Sequence, residues 1–181
     1  MLLVKTDLSI RSSIMAMQEL LMEGVEQGEI TDDSDQTELE HFFTPLDEDY
    51  GCSTYARQLY MPKGMVVVGK LHKKPHLTFL MSGTVLVVSE NGGKQRLQGP
   101  TTFVSPAGVK RVFYIEEDTI LTTVHLTKQT KEDDLDKVEE EVISPTYEAM
   151  GLEEPDMRRF NEVLENLSPD NNNNNKNNKG R

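Results

Sequence analysis

The chain has 181 residues, 36% of them hydrophobic, and a net charge of −12 at neutral pH, which fits one domain with appended segments. It has no run of about 18 apolar residues, so we expect no membrane-spanning helix. Its start lacks a secretory signal, and the single cysteine, Cys52, excludes an internal disulfide framework, so we expect a cytoplasmic protein. The acidic charge argues against nucleic-acid binding, which requires basic residues to neutralise phosphates.

The charge is unevenly distributed along the chain. Residues 1–52 carry a net charge of −11, residues 53–129 carry +6 and residues 130–181 carry −7. Solvated helix faces would explain the acidic flanks. Packing of the flanks on the basic centre, either within one chain or between neighbouring subunits, is the alternative explanation. The second explanation is consistent with the homo-oligomer that we expect.

The first predicted element is an amphipathic helix over residues 8–27. One face of it carries four apolar residues at helical spacing, namely Ile10, Ile14, Met17 and Leu21. Residues 29–40 are acidic and contain few apolar residues, which indicates a linker. We therefore assign residues 1–40 to an N-terminal helix and an acidic linker.

Residues 41–129 are predicted to form an antiparallel β-barrel. Short apolar, β-rich runs recur and are separated by Gly, Pro and Asn. Strands are predicted near residues 54–60, 65–72, 76–81, 84–89, 94–98, 101–105, 110–115 and 119–126. The run Asn91-Gly92-Gly93 is typical of a hairpin turn. So many short strands favour a small barrel or jelly roll, which leaves few strand edges exposed.

Residues 130–168 are predicted to form C-terminal helices. Within residues 131–143, Leu135, Val138 and Val142 share one side, and a second helix is predicted over residues 155–167. The Asn-rich tail, residues 169–181, lacks the apolar residues needed to fold and is expected to be disordered. The predicted fold class is therefore mainly β, with flanking α-helices.

The spacing of two histidines draws attention to one stretch of the barrel. Gly64 is followed after five residues by Lys70, then by His72, by His76 and, after six more residues, by Gly83. Alternate residues of a strand share a face, so Lys70 and His72 are expected to point the same way. His76 joins them if the strand phase resumes after the intervening turn.

This spacing resembles the first motif of the cupin superfamily, G-x5-H-x-H-x3–4-E-x6-G. Lys70 stands where the first metal-binding histidine belongs, and His76 stands where the glutamate belongs. The run from Gly99 resembles the second motif, G-x5-P-x-G-x2-H-x3-N, with one extra residue in its first interval, Arg111 at the histidine position and Ile115 at the asparagine position. The resemblance implies a double-stranded β-helix whose site residues point into the barrel mouth.

A longer set of residues is similar to small, uncharacterised cupin-like proteins encoded by bacteriophages. The set comprises His41-Phe42-Phe43, Tyr55-Ala56-Arg57, Pro106 to Arg111, Glu117-Asp118-Thr119 and His125. This resemblance implies a phage-encoded protein in the host cytoplasm or in the virion, with virion or host proteins as partners. Cupins include enzymes, sugar-binding modules and storage proteins, so the fold does not select a function.

The first chemistry open to the site is anion binding. Lys70, His72, His76 and Arg111 would form a cationic pocket for a small phosphate or carboxylate, joined by Tyr114 if its hydroxyl group points inward. Arginine suits this role because its planar guanidinium group forms two parallel hydrogen bonds with such a group. A pair between Arg111 and Glu116 or another acid, with hydrogen-bonded wall histidines, would instead leave the barrel inert.

The second chemistry is metal binding. A divalent metal needs three or more lone-pair donors, and the protonated Lys70 and Arg111 supply none, so a metal cofactor is disfavoured. His72 and His76 with His125 or His41 would nevertheless make an atypical ligand set.

Three functions follow from these alternatives. The leading prediction is a non-catalytic binding or assembly module that holds a small anionic ligand. The second is a metal-dependent cupin enzyme, and the third is a virion component with an inert barrel.

Overall fold

The computed structural model describes residues 8–157, in which eleven β-strands and two α-helices are present. The strands are β1 (Glu38–Phe43), β2 (Ser53–Met61), β3 (Val66–Val68), β4 (Leu71–His72), β5 (His76–Ser82), β6 (Thr84–Ser89), β7 (Gly93–Gln98), β8 (Thr101–Ser105), β9 (Arg111–Ile115), β10 (Thr119–Thr127) and β11 (Ile143–Ser144). The helices are α1 (Leu8–Glu26) and α2 (Leu135–Val142), and single 3₁₀ turns are formed by Ser34–Gln36, Glu132–Asp134 and Glu148–Met150. The predicted tail and most of the predicted helix 155–167 lie outside the described residues.

The strands form two antiparallel sheets and a short ribbon. One sheet has the order β1-β2-β10-β5-β8, the other has the order β3-β9-β6-β7, and β4 pairs with β11 in the ribbon. The predicted fold class, a mainly β jelly roll with flanking helices, is confirmed. Among residues 8–157, no helix combines the length and the apolar character that crossing a bilayer requires.

The apolar core lies between the two sheets. Its centre consists of five side chains that are almost fully buried, Met61, Leu80, Val85, Val87 and Ile115. Because side chains alternate along a strand, β5 points Leu80, Thr78 and His76 inward while Leu77 faces outward. The inward face of β5 therefore continues beyond the apolar core to a histidine.

The two glycines of the first motif are required by the backbone. Gly64 and Gly83 have φ angles of +94° and +86°, a region that side chains disfavour. A Cβ atom on Gly83 would also lie 2.3 Å from Oγ1 of Thr119 and 2.4 Å from the carbonyl oxygen of Asp118. The spacing of the motif thus reflects tight turns of the barrel as well as its side-chain chemistry.

Two local predictions are wrong. The predicted strand 65–72 is interrupted, because β3 ends at Val68 to pair with β9 whereas β4 begins at Leu71 to pair with β11. Residues 38–40, predicted as linker, begin the edge strand β1, which pairs with β2. No residue of this edge strand is fully buried, which explains why it tolerates the charged residues Glu38 and Glu40.

Helix α1 is anchored to the barrel by a buried ion pair that the sequence analysis missed. The guanidinium group of Arg11 contacts Oε2 of Glu90 through Nε at 2.9 Å and Nη2 at 2.8 Å, and the two residues are 3% and 1% exposed. The other carboxylate oxygen of Glu90 accepts hydrogen bonds from the hydroxyl group of Tyr147 and, at 3.0 Å, from the backbone N–H of Lys110. Ile14 of the predicted apolar stripe is buried, but Met17 is 43% exposed, because Arg11 and Ala16 complete the packed face.

Helix α2 packs its apolar side on the barrel. Val138 and Val142 are buried against Tyr55 of β2, and Leu135 completes the contact, as the helical periodicity predicted. The acidic side of α2 faces outward and contacts basic residues that precede β5: Glu139 pairs with Lys70, and the carbonyl group of Glu140 accepts a hydrogen bond from Lys73. This acidic flank therefore packs on the basic centre within one chain.

Candidate metal and ligand site

Three histidines meet inside the barrel. His72 ends β4, His76 begins β5 and His125 lies on β10. The ring centroids are 4.1 Å apart for His72 and His76, 4.5 Å for His76 and His125, and 4.9 Å for His72 and His125. One potential ligand atom from each ring lies within 4.8 Å of the other two. The register of β5 and β10 explains the contact, because the pair Leu77–Val124 places the next two residues, His76 and His125, side by side.

The turn of the second motif fixes the backbone of the cluster. The N–H of Gly108 donates a hydrogen bond to the carbonyl oxygen of His72 at 2.9 Å, and Gly108 has a φ angle of +69°. The N–H of Gly69 donates to the carbonyl oxygen of Arg111 at 2.8 Å. The two motif segments are therefore hydrogen-bonded to each other at His72 and Arg111, which carry the predicted chemistry.

The imidazole rings make few hydrogen bonds with the protein. Nδ1 of His72 is buried and has no hydrogen-bond partner in the described range. Nδ1 of His76 lies 3.4 Å from the carbonyl oxygen of Lys74, which is a long contact. Buried polar atoms nearly always have a partner. The arrangement therefore leaves ring nitrogens available to a bound ion or molecule.

The surroundings keep these histidines neutral. Burial lowers the pKa of His72 to about 2, and the neighbouring rings of His76 and His125 add to the shift. Burial likewise lowers the pKa of His125 to about 4, and it lowers the pKa of His76, with a further contribution from Arg111. A neutral imidazole has a lone pair on one ring nitrogen, so all three rings can bind a metal at neutral pH.

A cavity of about 180 Å³ lies next to the cluster. Its polar lining includes Arg57, His72, His76 and Arg111. Its apolar lining includes Leu59, Met61, Val67, Phe103, Phe113 and Leu121. Within residues 8–157, no Asp or Glu lines this cavity. The lining of the cavity therefore combines positively charged groups with apolar walls.

Arg111 faces this cavity without an acidic partner among the described residues. Burial lowers the pKa of Arg111, and attraction to Glu90 opposes the shift. The carboxylate of Glu90 is already bonded to Arg11, and Glu116 pairs with Arg96 at 2.6 Å. The alternative of an Arg111–Glu116 pair is therefore wrong, and the guanidinium group remains available to an anion.

Lys70 does not join the histidines as the alternation predicted. It lies in the break between β3 and β4, where the two-residue period is lost. Lys70 borders the cavity, but its side chain is half exposed and its ammonium group pairs with Glu139 of α2. The carboxylate of Glu139 therefore offsets the positive charge of Lys70.

Two further predicted residues lie outside the cluster. Tyr114 is 43% exposed and does not line the cavity, because it alternates on β9 with the inward-facing Arg111 and Phe113. Nδ1 of His41 lies 2.7 Å from the hydroxyl oxygen of Tyr55, so His41 is not the third histidine. That position is taken by His125.

A second cavity, of about 260 Å³, lies under α2. It shares Arg57, Lys70, His72 and Thr123 with the first cavity, and it is also lined by His125 and Tyr55. Arg57 borders both spaces and was missed by the sequence analysis. The available signal was the alternation along β2, which places Tyr55, Arg57, Leu59 and Met61 on one face.

Comparison with known proteins finds similarity in structure alone. No protein-family model and no curated protein matches the sequence. KdgF from Halomonas sp. is 18% identical, with a TM-score of 0.43, over 58% of this chain and 90% of its own. Salicylate 1,2-dioxygenase from Pseudoaminobacter salicylatoxidans is 11% identical, with a TM-score of 0.43, over 68% of this chain and 32% of its own. The Cnp3 cupin domain from Schizosaccharomyces pombe is 19% identical, with a TM-score of 0.40, over 56% of this chain and 66% of its own.

Proposed function

We propose that this chain is a cupin-like binding module whose three-histidine cluster holds a divalent transition metal. The observation that carries the proposal is the convergence of His72, His76 and His125, which are neutral and largely without hydrogen-bond partners. Imidazole nitrogen is a preferred ligand of zinc, copper, iron and nickel ions. Three protein ligands leave one coordination position open for a water molecule or a small ligand.

The rest of the site is compatible with a metal. His125 supplies the third lone pair that the sequence motif lacked, and the ammonium group of Lys70 is bonded to Glu139. Three neutral ligands would leave the ion its full positive charge, which would polarise an oxygen atom of a bound molecule. Arg57 and Arg111 would then favour an anionic molecule beside the ion.

Replacing His125 by asparagine is expected to weaken metal binding by about 100-fold or more, because one of three ligands is lost. Chelator-treated protein is titrated with Co²⁺, the visible absorption of the ion is followed, and Zn²⁺ is then added in competition. The matched control is His41→Asn, which removes the one histidine outside the cluster and is expected to leave the affinity unchanged.

Two results would contradict this proposal. The first is failure of the wild-type protein to bind either ion at millimolar concentration. The second is binding that survives the loss of His125 or that is lost equally with His41. Either result would leave the cluster as an ordinary part of the barrel wall.

A second candidate function is the predicted one, a metal-free site for a small anion. The observation that favours it is Arg111, whose guanidinium group faces a cavity that contains no carboxylate from the described residues. Burial strengthens the interaction of such a group with an anion, because the local dielectric constant is low. This function does not require the histidines to bind a metal.

Arg111→Gln is expected to weaken anion binding by about 10- to 100-fold, the range for loss of charge-assisted hydrogen bonds. Inorganic phosphate and hexanoate serve as probes, and calorimetry in the presence of a chelator measures the affinity. The control is Arg96→Gln, because Arg96 lies on the surface and pairs with Glu116. Equal affinities of the wild-type protein and Arg111→Gln for both probes would reject this candidate.

The predicted assembly role is a separate proposal. The structure contains one chain. The homo-oligomer, the virion or host partner and the phage origin therefore stay predictions. Light scattering of the purified protein tests the oligomer, and its copy number in purified phage particles tests the virion role.

A further inference from the structure

We infer that the barrel selects a small organic monocarboxylate with an apolar body, in preference to phosphate or a polyhydroxylated ligand. This inference rests on the anion site at Arg111 proposed above and does not need the metal. It follows from three properties of the first cavity: its guanidinium groups, its apolar walls and its volume.

Not every polar group of the cavity is free to bind a ligand. The hydroxyl groups of Thr78 and Ser105 are bonded to each other at 2.8 Å. Arg57 and Arg111 bring guanidinium groups to the cavity, whereas the ammonium group of Lys70 at the rim is already paired with Glu139. A planar carboxylate needs only the two parallel N–H groups of one guanidinium. Phosphate has no apolar part that could contact the apolar walls of the cavity.

The remaining walls are apolar and belong to the edge of the core. Leu59, Val67, Phe113 and Leu121 line the cavity and also pack on the buried core cluster. A ligand hydroxyl group placed against these walls would lose its hydrogen bonds with water and gain none. A hydrocarbon group in the same place would bury apolar surface, which is favourable in proportion to the area removed from water. The walls therefore select against sugars and favour a hydrocarbon body.

The volume limits the size of that body. The cavity of about 180 Å³ slightly exceeds the engineered apolar cavity of about 150 Å³ that accommodates one benzene molecule. It therefore has room for one six-membered ring or a chain of about six carbons. Arg111 lies over the ring of Phe103, with 5.9 Å between Cζ and the ring centroid, so charged and aromatic surfaces adjoin at one position. The geometry fits a carboxylate whose apolar body extends from Arg111 along the aromatic and aliphatic walls.

A series of unbranched carboxylates tests this inference on the full, chelator-treated protein. From acetate to hexanoate, the affinity is expected to rise about three- to fourfold per added methylene, because each one is buried. The rise is expected to stop near six carbons, and decanoate is expected to bind more weakly than hexanoate. Benzoate is expected to bind about as tightly as hexanoate, and hexanamide, which lacks the charge, at least tenfold more weakly.

Two further comparisons of affinity test the ligand class and the anion site separately. Arg111→Gln is expected to reduce the affinity for hexanoate to that for hexanamide, whereas Arg96→Gln is expected to change neither. Phosphate binding as tightly as hexanoate, or an affinity independent of chain length, would overturn the ligand class while the anion site stands. Equal hexanoate affinities of Arg111→Gln and the wild-type protein would overturn both. The carboxylate series on the wild-type protein decides the ligand class even if the variant fails to fold.

Discussion

Replacing Glu90 by glutamine is expected to lower the free energy of unfolding by about 3–5 kcal/mol, the usual cost of removing one partner from a buried ion pair. The carboxylate of Glu90 binds Arg11, Tyr147 and the backbone of Lys110. Glutamine has nearly the same shape but no charge, so the cation of Arg11 would stay buried without a counter-ion. Urea unfolding followed by circular dichroism measures the loss.

The ion pair between Arg96 and Glu116 provides the matched control. It joins strand β7 to the residue after β9, and the side chain of Arg96 is exposed. Glu116→Gln is therefore expected to change the free energy of unfolding by less than about 1 kcal/mol. The double variant Arg11→Met/Glu90→Gln is expected to be more stable than Glu90→Gln alone, because no unpaired charge remains. Equal, small losses at both ion pairs would contradict the assignment of Glu90 as the anchor of α1.

Lowering the pH from 7 to 5 is expected to reduce the free energy of unfolding of the metal-free protein by about 4 kcal/mol through His72 and His125. Burial, together with repulsion from neighbouring rings, sets their folded pKa values to about 2 and about 4, below the ordinary value of 6.5. Below pH 6.5 these two histidines therefore bind protons in the unfolded chain but not in the folded protein. The stability that these groups contribute is complete above pH 6.5. It falls with pH until pH 4 for His125 and pH 2 for His72.

The double variant His72→Asn/His125→Asn isolates this contribution, because asparagine does not titrate. Urea unfolding at pH 7 and pH 5, with a chelator present, is expected to show a pH effect about 4 kcal/mol smaller in the variant than in the wild-type protein. Burial also lowers the pKa of His76 and of His41, so a residual effect of the same sign is expected in both proteins. Identical pH dependence of the two proteins would show that the rings are not held neutral by the fold.

Local sequence patterns predicted much of this fold. The two-residue alternation and the glycine-rich turns placed strands such as β5 and β6 within a residue of their bounds, and helical periodicity placed α1 and α2. The motif spacing predicted that His72, His76 and Arg111 lie near one another, and all three line one cavity. The motif glycines Gly64 and Gly83 form the turns that the barrel requires. The predictions of individual strands, helices and turns depend on residues near one another in the chain.

The remaining features depend on pairing between distant segments. His125 reaches the cluster only through the register of β10 against β5, and Arg11 meets Glu90 across 79 residues of sequence. The orientation of Lys70 depends on a break in its strand that follows from two different pairing partners. None of these contacts has a local signal, so the sequence alone favoured an anion site and disfavoured a metal.

An anomalous difference map from crystals grown with Co²⁺, recorded at the cobalt absorption edge, tests the three-histidine centre most directly. A strong peak is expected inside the barrel, about 2.0–2.1 Å from one ring nitrogen each of His72, His76 and His125. A map with no peak between these rings, or with peaks only at carboxylates on the surface, would contradict it.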